Sequence, residues 1–174
     1  MMDEKLIRLS RTLNAFAAVV VSLVLMGGFA VQIFLGEQPC PLCLLQRVGM
    51  LGVISAALLN LRFGLSPARY AVGLLAALGG ASVSIRQILL HIAPGSEPLG
   101  SPVMGLSLYT WAFIVFVSCM VGISILLFLH RPGDRGRSPR EMNRFEQTAC
   151  ALAFLVGLGN FGWTVVNCGL GLCE

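Results

Sequence analysis

Five long apolar runs constrain what this chain can fold into. They cover approximately residues 13–35, 44–61, 68–92, 106–129 and 148–166. Four of them are close to or above the roughly 20 residues that a helix needs to cross a bilayer. The shorter second run has Arg47 in its first turn, where an arginine can extend its charge to the membrane surface. With 56% hydrophobic and 11% charged residues, the chain is predicted to be an all-α integral membrane protein with five spans.

The basic residues predict how the chain is oriented in the membrane. Lysine and arginine in short loops are retained on the cytoplasmic side. Ten of the twelve fall on one side of the predicted spans: Lys5, Arg8, Arg11, Arg62, Arg69, Arg131, Arg135, Arg137, Arg140 and Arg144. We therefore expect a cytoplasmic N-terminus, a basic cytoplasmic loop at 130–145, and exterior segments at 36–43, 93–105 and 167–174. The first span exceeds the apolar length of a secretory signal and is predicted to be retained.

This orientation predicts where each of the six cysteines lies relative to the membrane. Four are predicted on the exterior side, at the start of the second span and after the fifth: Cys40, Cys43, Cys168 and Cys173. Disulfides persist outside the reducing cytosol, so two exterior pairs suit a protein that exchanges disulfides. Cys119 and Cys150 fall within spans and are interpreted as small apolar packing residues.

The Cys-x-x-Cys spacing of Cys40 and Cys43 predicts redox chemistry at the membrane surface. Pro41 suits the first position of a helix, so the second span would begin at the motif. Unpaired backbone N–H groups and the helix dipole stabilise a thiolate there, and Cys43 is the better placed of the two. Arg47 follows four residues later on the same face, where its cation can support a thiolate or a reduced ring oxygen.

The same residues also permit structural interpretations. Cys40 and Cys43 could form half of a zinc site with His91 as a third ligand, but such sites need four ligands and the nearby arginine is unfavourable. We therefore favour redox chemistry without a metal. Arg47 could instead be an interfacial anchor, and His91 a hydrogen-bonded residue at the end of the third span.

Two further patterns bear on partners and packing. The basic loop lacks interleaved aromatic residues, so we predict that it lies against anionic lipid and that the protein has no nucleic-acid partner. Glycine pairs within the spans, at 27–28 and at Gly157 and Gly159, are interpreted as close helix contacts rather than phosphate loops.

The run Pro-Cys-Pro-Leu-Cys-Leu-Leu-Gln-Arg at 39–47 and the run Arg-Gln-Ile-Leu-Leu-His at 86–91 resemble the DsbB family of disulfide bond formation proteins. The similarity extends over about residues 10–130 and includes Gly-Leu-Ser-Leu-Tyr-Thr-Trp-Ala at 105–112. It implies a four-helix bundle in the bacterial inner membrane, to which this chain adds a fifth C-terminal helix. It also implies an enzyme that reoxidises a periplasmic thioredoxin-fold dithiol oxidase of DsbA type and passes the electrons to ubiquinone or menaquinone.

Four residues match the family pattern. The resemblance implies that Cys40 and Cys43 are the pair next to the quinone, with Cys43 facing it. It further implies that Arg47 is the arginine of the quinone site and that His91 lies near that site.

The chain departs from the family pattern in its second exterior segment, which is short and holds no cysteine at 93–105. In the family, a long loop at this place carries the pair that first meets the partner oxidase. Our hypothesis is that Cys168 and Cys173 replace that pair and exchange disulfides with Cys40 and Cys43. The tail pair could also be an idle disulfide, with the partner attacking Cys40 directly.

Two other functions stay open. A structural or transport protein could use Cys40 and Cys43 as a stabilising disulfide, although no charged residue is evident at mid-depth of the spans. A vitamin K epoxide reductase-like enzyme also joins a helical bundle to Cys-x-x-Cys, but its active pair lies late in the bundle. A quinone-linked thiol oxidase is therefore the favoured prediction.

Overall fold

A computed structural model describes residues 2–36, 40–92, 102–130 and 142–168, with side chains for the residues between 4 and 166 in those ranges. They form five helices: α1 (Met2–Leu35), α2 (Pro41–Phe63), α3 (Pro67–Leu90), α4 (Leu108–Leu129) and α5 (Arg144–Cys168). Each helix is long and apolar enough to cross a membrane. Helices suit this setting because they pair their own backbone polar groups without water. The predicted all-α fold with five spanning helices is confirmed.

The limits of the membrane spans and their orientation stay predictions, because helix length and composition do not mark the lipid boundary. Parts of the predicted loops, at 37–39, 93–101, 131–141 and 169–174, lie outside the described residues. The predicted site residue Cys173 is among them.

The helices are arranged so that α1 packs against both α2 and α5, α2 packs against α3, and α3 packs against α4. The fifth helix therefore joins the bundle along α1. The main core lies between the helices at mid-length and is built from aliphatic residues around Phe116, whose side chain is fully buried.

Close contact between α2, α3 and α4 depends on glycines, two of which meet at the ring of Phe116. A Cβ atom added at Gly80 would lie 2.1 Å from the ring of Phe116, which is far inside van der Waals contact. A Cβ at Gly49 would lie 3.1 Å from both the Phe116 ring and the Gly80 Cα. The absence of side chains at these positions allows the Phe116 ring to pack on the backbone of α3.

The sequence-based expectation of close packing at other glycines was wrong. A Cβ at Gly27, Gly28 or Gly159 would meet no neighbouring group within 4 Å, and one at Gly157 would make an ordinary contact at 3.8 Å. Glycine composition alone does not show which face of a helix meets a neighbour.

A buried ion pair joins α1 and α5 at the end predicted to be cytoplasmic. Arg11 donates from Nε and Nη2 to the two carboxylate oxygens of Glu146, at 2.8 and 2.7 Å. Glu146 also belongs to a capping box at the start of α5. It accepts from the Asn143 backbone N–H at 3.1 Å, while Asn143 Oδ1 accepts from the Glu146 N–H at 2.8 Å. The carboxylate thus satisfies the arginine and the helix terminus together.

A second polar group holds α1, α2 and α3 together near the same end. Asn14 Nδ2 donates to the Tyr70 hydroxyl at 2.8 Å, and Asn60 Oδ1 accepts from the Ser66 backbone N–H at 3.1 Å. These side chains are buried, and their mutual hydrogen bonds allow them to remain inside an apolar bundle.

We predict that Gly80→Ala destabilises the bundle, whereas Gly79→Ala does not. The added methyl at position 80 would overlap the Phe116 ring, and overpacking of this kind costs about 1–3 kcal/mol. A Cβ at Gly79 meets nothing within 4 Å, so the neighbouring variant is a matched control. Thermal unfolding of the purified protein in detergent measures the effect. Equal midpoints for the two variants would contradict the close contact between Gly80 and the Phe116 ring.

We also predict that Glu146→Gln destabilises the protein strongly. The change leaves the buried Arg11 guanidinium without its counter-charge, and breaking a buried pair costs about 3–5 kcal/mol. The control is Glu4→Gln, which breaks the exposed Arg8–Glu4 pair and should cost less than about 1 kcal/mol. The free energy of unfolding in detergent is measured for both variants. A similar small decrease in both would show that the buried pair contributes little to stability.

Candidate functional site

The site begins with a disulfide in the first turn of α2. Cys40 is the N-cap residue, Pro41 is the first helical residue, and Cys40 is bonded to Cys43 with Cα atoms 5.2 Å apart. The Cys40 Sγ also accepts from the Cys43 backbone N–H at 3.1 Å, which satisfies one unpaired donor of the helix terminus. Both cysteines are half-buried. The pair is therefore covered in part by the bundle while remaining partly accessible.

Gln87 of α3 lies directly against this disulfide. Its Nε2 is 3.5 Å from the Sγ atoms of both Cys40 and Cys43. Its Oε1 accepts from Gln46 Nε2 at 3.0 Å, and both glutamines are buried, with Gln87 only 1% exposed. Gln46 therefore orients the Gln87 amide, whose N–H groups are directed toward the two sulfur atoms. Such a donor stabilises a thiolate when the pair is reduced.

His91 lies one turn after Gln87, at the end of α3. Its Nδ1 is 2.8 Å from the Gln87 backbone carbonyl, and its ring stacks on Tyr109 of α4 with centroids 5.5 Å apart. The histidine therefore joins the ends of α3 and α4 close to the glutamine that touches the disulfide. Its role toward a quinone stays a prediction.

The guanidinium of Arg47 is directed toward α1 and α5. It donates from Nη2 to Gln32 Oε1 on α1 and from Nη1 to Asn160 Oδ1 on α5, the second at 3.5 Å. It also lies over the Phe29 ring, 5.7 Å from the centroid. The Phe29 ring in turn meets Trp163 of α5 edge to face, with centroids 5.4 Å apart. We call Phe29, Gln32, Arg47, Asn160 and Trp163 the arginine cluster.

The disulfide lies between two polar groups. Successive residues of a helix are separated by about 100° around its axis. Gln46 and Arg47 therefore lie on opposite sides of Cys43, one turn deeper in the bundle. Gln46 meets α3, while Arg47 meets α1 and α5. The side toward α3 supplies neutral donors to sulfur, and the other side supplies a cation.

Sequence reasoning missed Gln87, Gln46, Gln32 and Asn160 as site residues. All four are buried polar residues within apolar helices, which is unusual inside a membrane and would have been the signal to find them. The pairing among them depends on which helices are neighbours, which the sequence does not state.

The remaining cysteines are separate from this disulfide. Cys119 and Cys150 are free, half-buried and packed against core residues, in the place predicted for packing residues. Cys168 is the last residue of α5, its side chain is not described, and Cys173 lies outside the described residues. Within the described part of the chain, no group of three or more His, Cys, Asp or Glu side chains could hold a metal ion.

The fold and the site together define a class: a helical membrane protein with a partly accessible Cys-x-x-Cys disulfide at a helix N-terminus. Comparison with known proteins identifies the family. The family model for the disulfide bond formation protein DsbB matches residues 10–101. The chain therefore belongs to the DsbB family of membrane disulfide bond formation proteins, as its sequence pattern predicted.

Several relatives carry the name disulfide bond formation protein B or B 1, and three of them show the range of similarity. The protein from Chromobacterium violaceum is 47% identical over 76 residues, which are 40% of this chain and 46% of the relative. The protein from Methylococcus capsulatus is 34% identical over 131 residues, 72% of this chain and 75% of the relative. Disulfide bond formation protein B 1 of Pseudomonas fluorescens strain Pf0-1 is 28% identical over 170 residues, covering 77% of this chain and 100% of the relative. No solved structure matches the chain significantly.

We predict that Gln87→Leu makes the Cys40–Cys43 disulfide harder to reduce. The variant keeps the size of the side chain but removes the donor to both sulfurs, so the reduced, thiolate-bearing form loses stabilisation. A hydrogen bond to a charged group contributes about 1.5–3 kcal/mol. For a two-electron couple, this is a shift of about −30 mV or more.

Equilibration with glutathione buffers measures this potential. Ser84→Ala is the control, because Ser84 is equally buried on α3 but donates only to the Gly80 carbonyl of its own helix. An unchanged potential in Gln87→Leu would show that the amide does not act on the sulfurs.

Proposed function

We propose that this protein is a thiol oxidase of the bacterial inner membrane that takes electrons from a periplasmic, DsbA-like thioredoxin-fold protein and passes them through Cys40 and Cys43 to a quinone. The observation that supports this most is the position of the disulfide. It caps a helix, is partly accessible, and has a donor amide on one side and an arginine on the other. The function requires the Cys40 end of α2 to face the periplasm, with the N-terminus in the cytoplasm and the C-terminus in the periplasm.

The exchange balances as two two-electron steps. The two thiols of the partner become a disulfide while the Cys40–Cys43 disulfide is reduced to two thiols. The reduced pair then closes again by giving two electrons and two protons to a membrane quinone, which becomes a hydroquinone. The helix N-terminus and Gln87 hold the thiolate of Cys43 during the interval between these steps.

The residues present fit a quinone. Gln32 Nε2 is a buried donor that has no hydrogen-bond partner among the described residues, on a side chain only 6% exposed. A buried amide donor inside a membrane bundle is costly unless it finds an acceptor. A ring carbonyl supplies such an acceptor, and the adjacent Arg47 guanidinium would attract the negative charge that develops on ring oxygen during reduction. Arg47 and Gln32 would hold the ring, and His91 is proposed to contribute from the α3 side.

We retain Cys168 and Cys173 as the proposed pair that meets the partner first. Cys168 follows Asn160 by eight residues, or about 12 Å along a helix, and Cys40 precedes Arg47 by seven residues, or about 10 Å. Since Arg47 contacts Asn160, the end of α5 reaches about the same height as Cys40. This supports exchange between the two pairs.

Quinone reduction by the purified protein tests the proposal. Reduced thioredoxin-fold dithiol oxidase and a short-tailed quinone are supplied to wild type, Cys43→Ser and the double variant Cys168→Ser/Cys173→Ser. We expect Cys43→Ser to abolish turnover, because the acceptor-side disulfide cannot form. We expect the double variant to leave the partner reduced. Cys119→Ser/Cys150→Ser is the matched control and should retain full activity, since both residues pack away from the disulfide.

Each alternative gives a different result. Full activity in the tail variant means that the partner attacks Cys40 directly. No quinone reduction by wild type would favour a stabilising disulfide in a protein that is not an oxidase.

A further inference from the structure

The fifth helix brings a buried polar side chain to the arginine cluster. Asn160 is 5% exposed, although it lies on a helix that otherwise presents mainly apolar residues. Its Nδ2 donates to the Val156 carbonyl of α5 at 2.9 Å, which fixes the rotation of the amide. Its Oδ1 is thereby turned toward Arg47 Nη1, at 3.5 Å. Asn160 is oriented as an acceptor for the arginine.

Two other features indicate that this cluster receives a ligand. Within the part of the chain that the structure describes, the buried Gln32 Nε2 has no hydrogen-bond partner, although the Oε1 of the same amide accepts from Arg47. Beside the cluster are three exposed glycines, Gly27, Gly159 and Gly162, and the half-buried Gly28; a Cβ added at any of them would meet no other described group within 4 Å. The glycines leave the surface of α1 and α5 beside the cluster without side chains, so a flat ring could lie against it.

We propose that α5 forms one wall of the acceptor site and that Asn160 is a positioning residue for Arg47. This inference rests on the proposed function and deepens it. Asn160 holds one branch of the guanidinium, Gln32 Oε1 holds the other, and the free Gln32 Nε2 donates to a carbonyl of the quinone ring. Phe29 and Trp163 flank this position with aromatic surface. The fifth helix is thus part of the quinone site in addition to carrying Cys168.

Fluorescence of Trp163 provides a readout that does not depend on turnover. The chain has two tryptophans. Trp111 lies on α4, where its Nε1 donates to the Val103 carbonyl, so Trp111→Phe leaves Trp163 as the sole reporter. Quinones quench indole fluorescence at short range. Titration of the oxidised, full-length protein in detergent with a short-tailed benzoquinone then measures binding beside the cluster.

In this background, Asn160→Leu should raise the half-saturating quinone concentration about tenfold, because Arg47 is no longer held in place for the ring. The KM for quinone should rise and the maximal rate should fall, because Arg47 is then less well placed for the charge that develops on the ring, whereas the KM for the dithiol partner stays unchanged. Asn160→Gln keeps both an amide donor and an oxygen acceptor and should fall between the parent and Asn160→Leu. Ala153→Ser, two turns earlier on the buried face of α5, should behave as the parent.

The two proposals fail in different ways. If the parent reduces and binds quinone but Asn160→Leu leaves both the quenching midpoint and the KM unchanged, α5 is not part of the acceptor site and this inference is wrong. If the parent neither binds nor reduces quinone, the proposed function itself is wrong. Should Asn160→Leu not fold, Asn160→Ala removes the acceptor without adding an apolar side chain, and the same comparison applies.

Discussion

Pairing of polar groups inside an apolar bundle is the constraint on which the rest of this structure depends. A side chain in lipid cannot exchange its partner for water, so buried amides, hydroxyls and charges are stabilised mainly by partners within the protein. Near one end of the bundle, Arg11 binds Glu146 and Asn14 binds Tyr70. Hydrophobic burial alone would not fix the register of one apolar helix against another in lipid, and these polar pairs supply that specificity.

Near the other end of the bundle, the same kind of pairing forms the candidate functional site. The two sides of α2 differ because adjacent residues face different neighbours: Gln46 meets Gln87 of α3, and Arg47 meets α1 and α5. The disulfide above them consequently has neutral donors on one side and positive charge on the other. In the proposed oxidase, the amide of Gln87 would stabilise the thiolate of the reduced pair, and Arg47 would stabilise the charge on the ring of the acceptor. Because the two groups lie on different sides of α2, each can act without the other.

Much of this could be predicted from the sequence, and the missing part has a physical cause. Apolar runs of sufficient length predicted all five helices, and the Pro41 and Cys-x-x-Cys pattern predicted the disulfide at the start of α2. These features depend on residues close together along the chain. The contacts of Gln87 with sulfur and of Arg47 with Asn160 join residues 44 or more positions apart. They depend on which helices are neighbours, and the same limitation made the prediction of the packing glycines wrong.

The attachment of α5 to α1 has a consequence for how the protein is made. Because a chain is synthesised from its N-terminus, α1 enters the membrane long before residue 146 leaves the ribosome. Until then, Arg11 has no carboxylate from α5 to bind, and its charge must be held by lipid headgroups or water. Insertion of α5 closes this ion pair and brings α5 alongside α1. A helix synthesised later therefore locks an earlier one into the bundle.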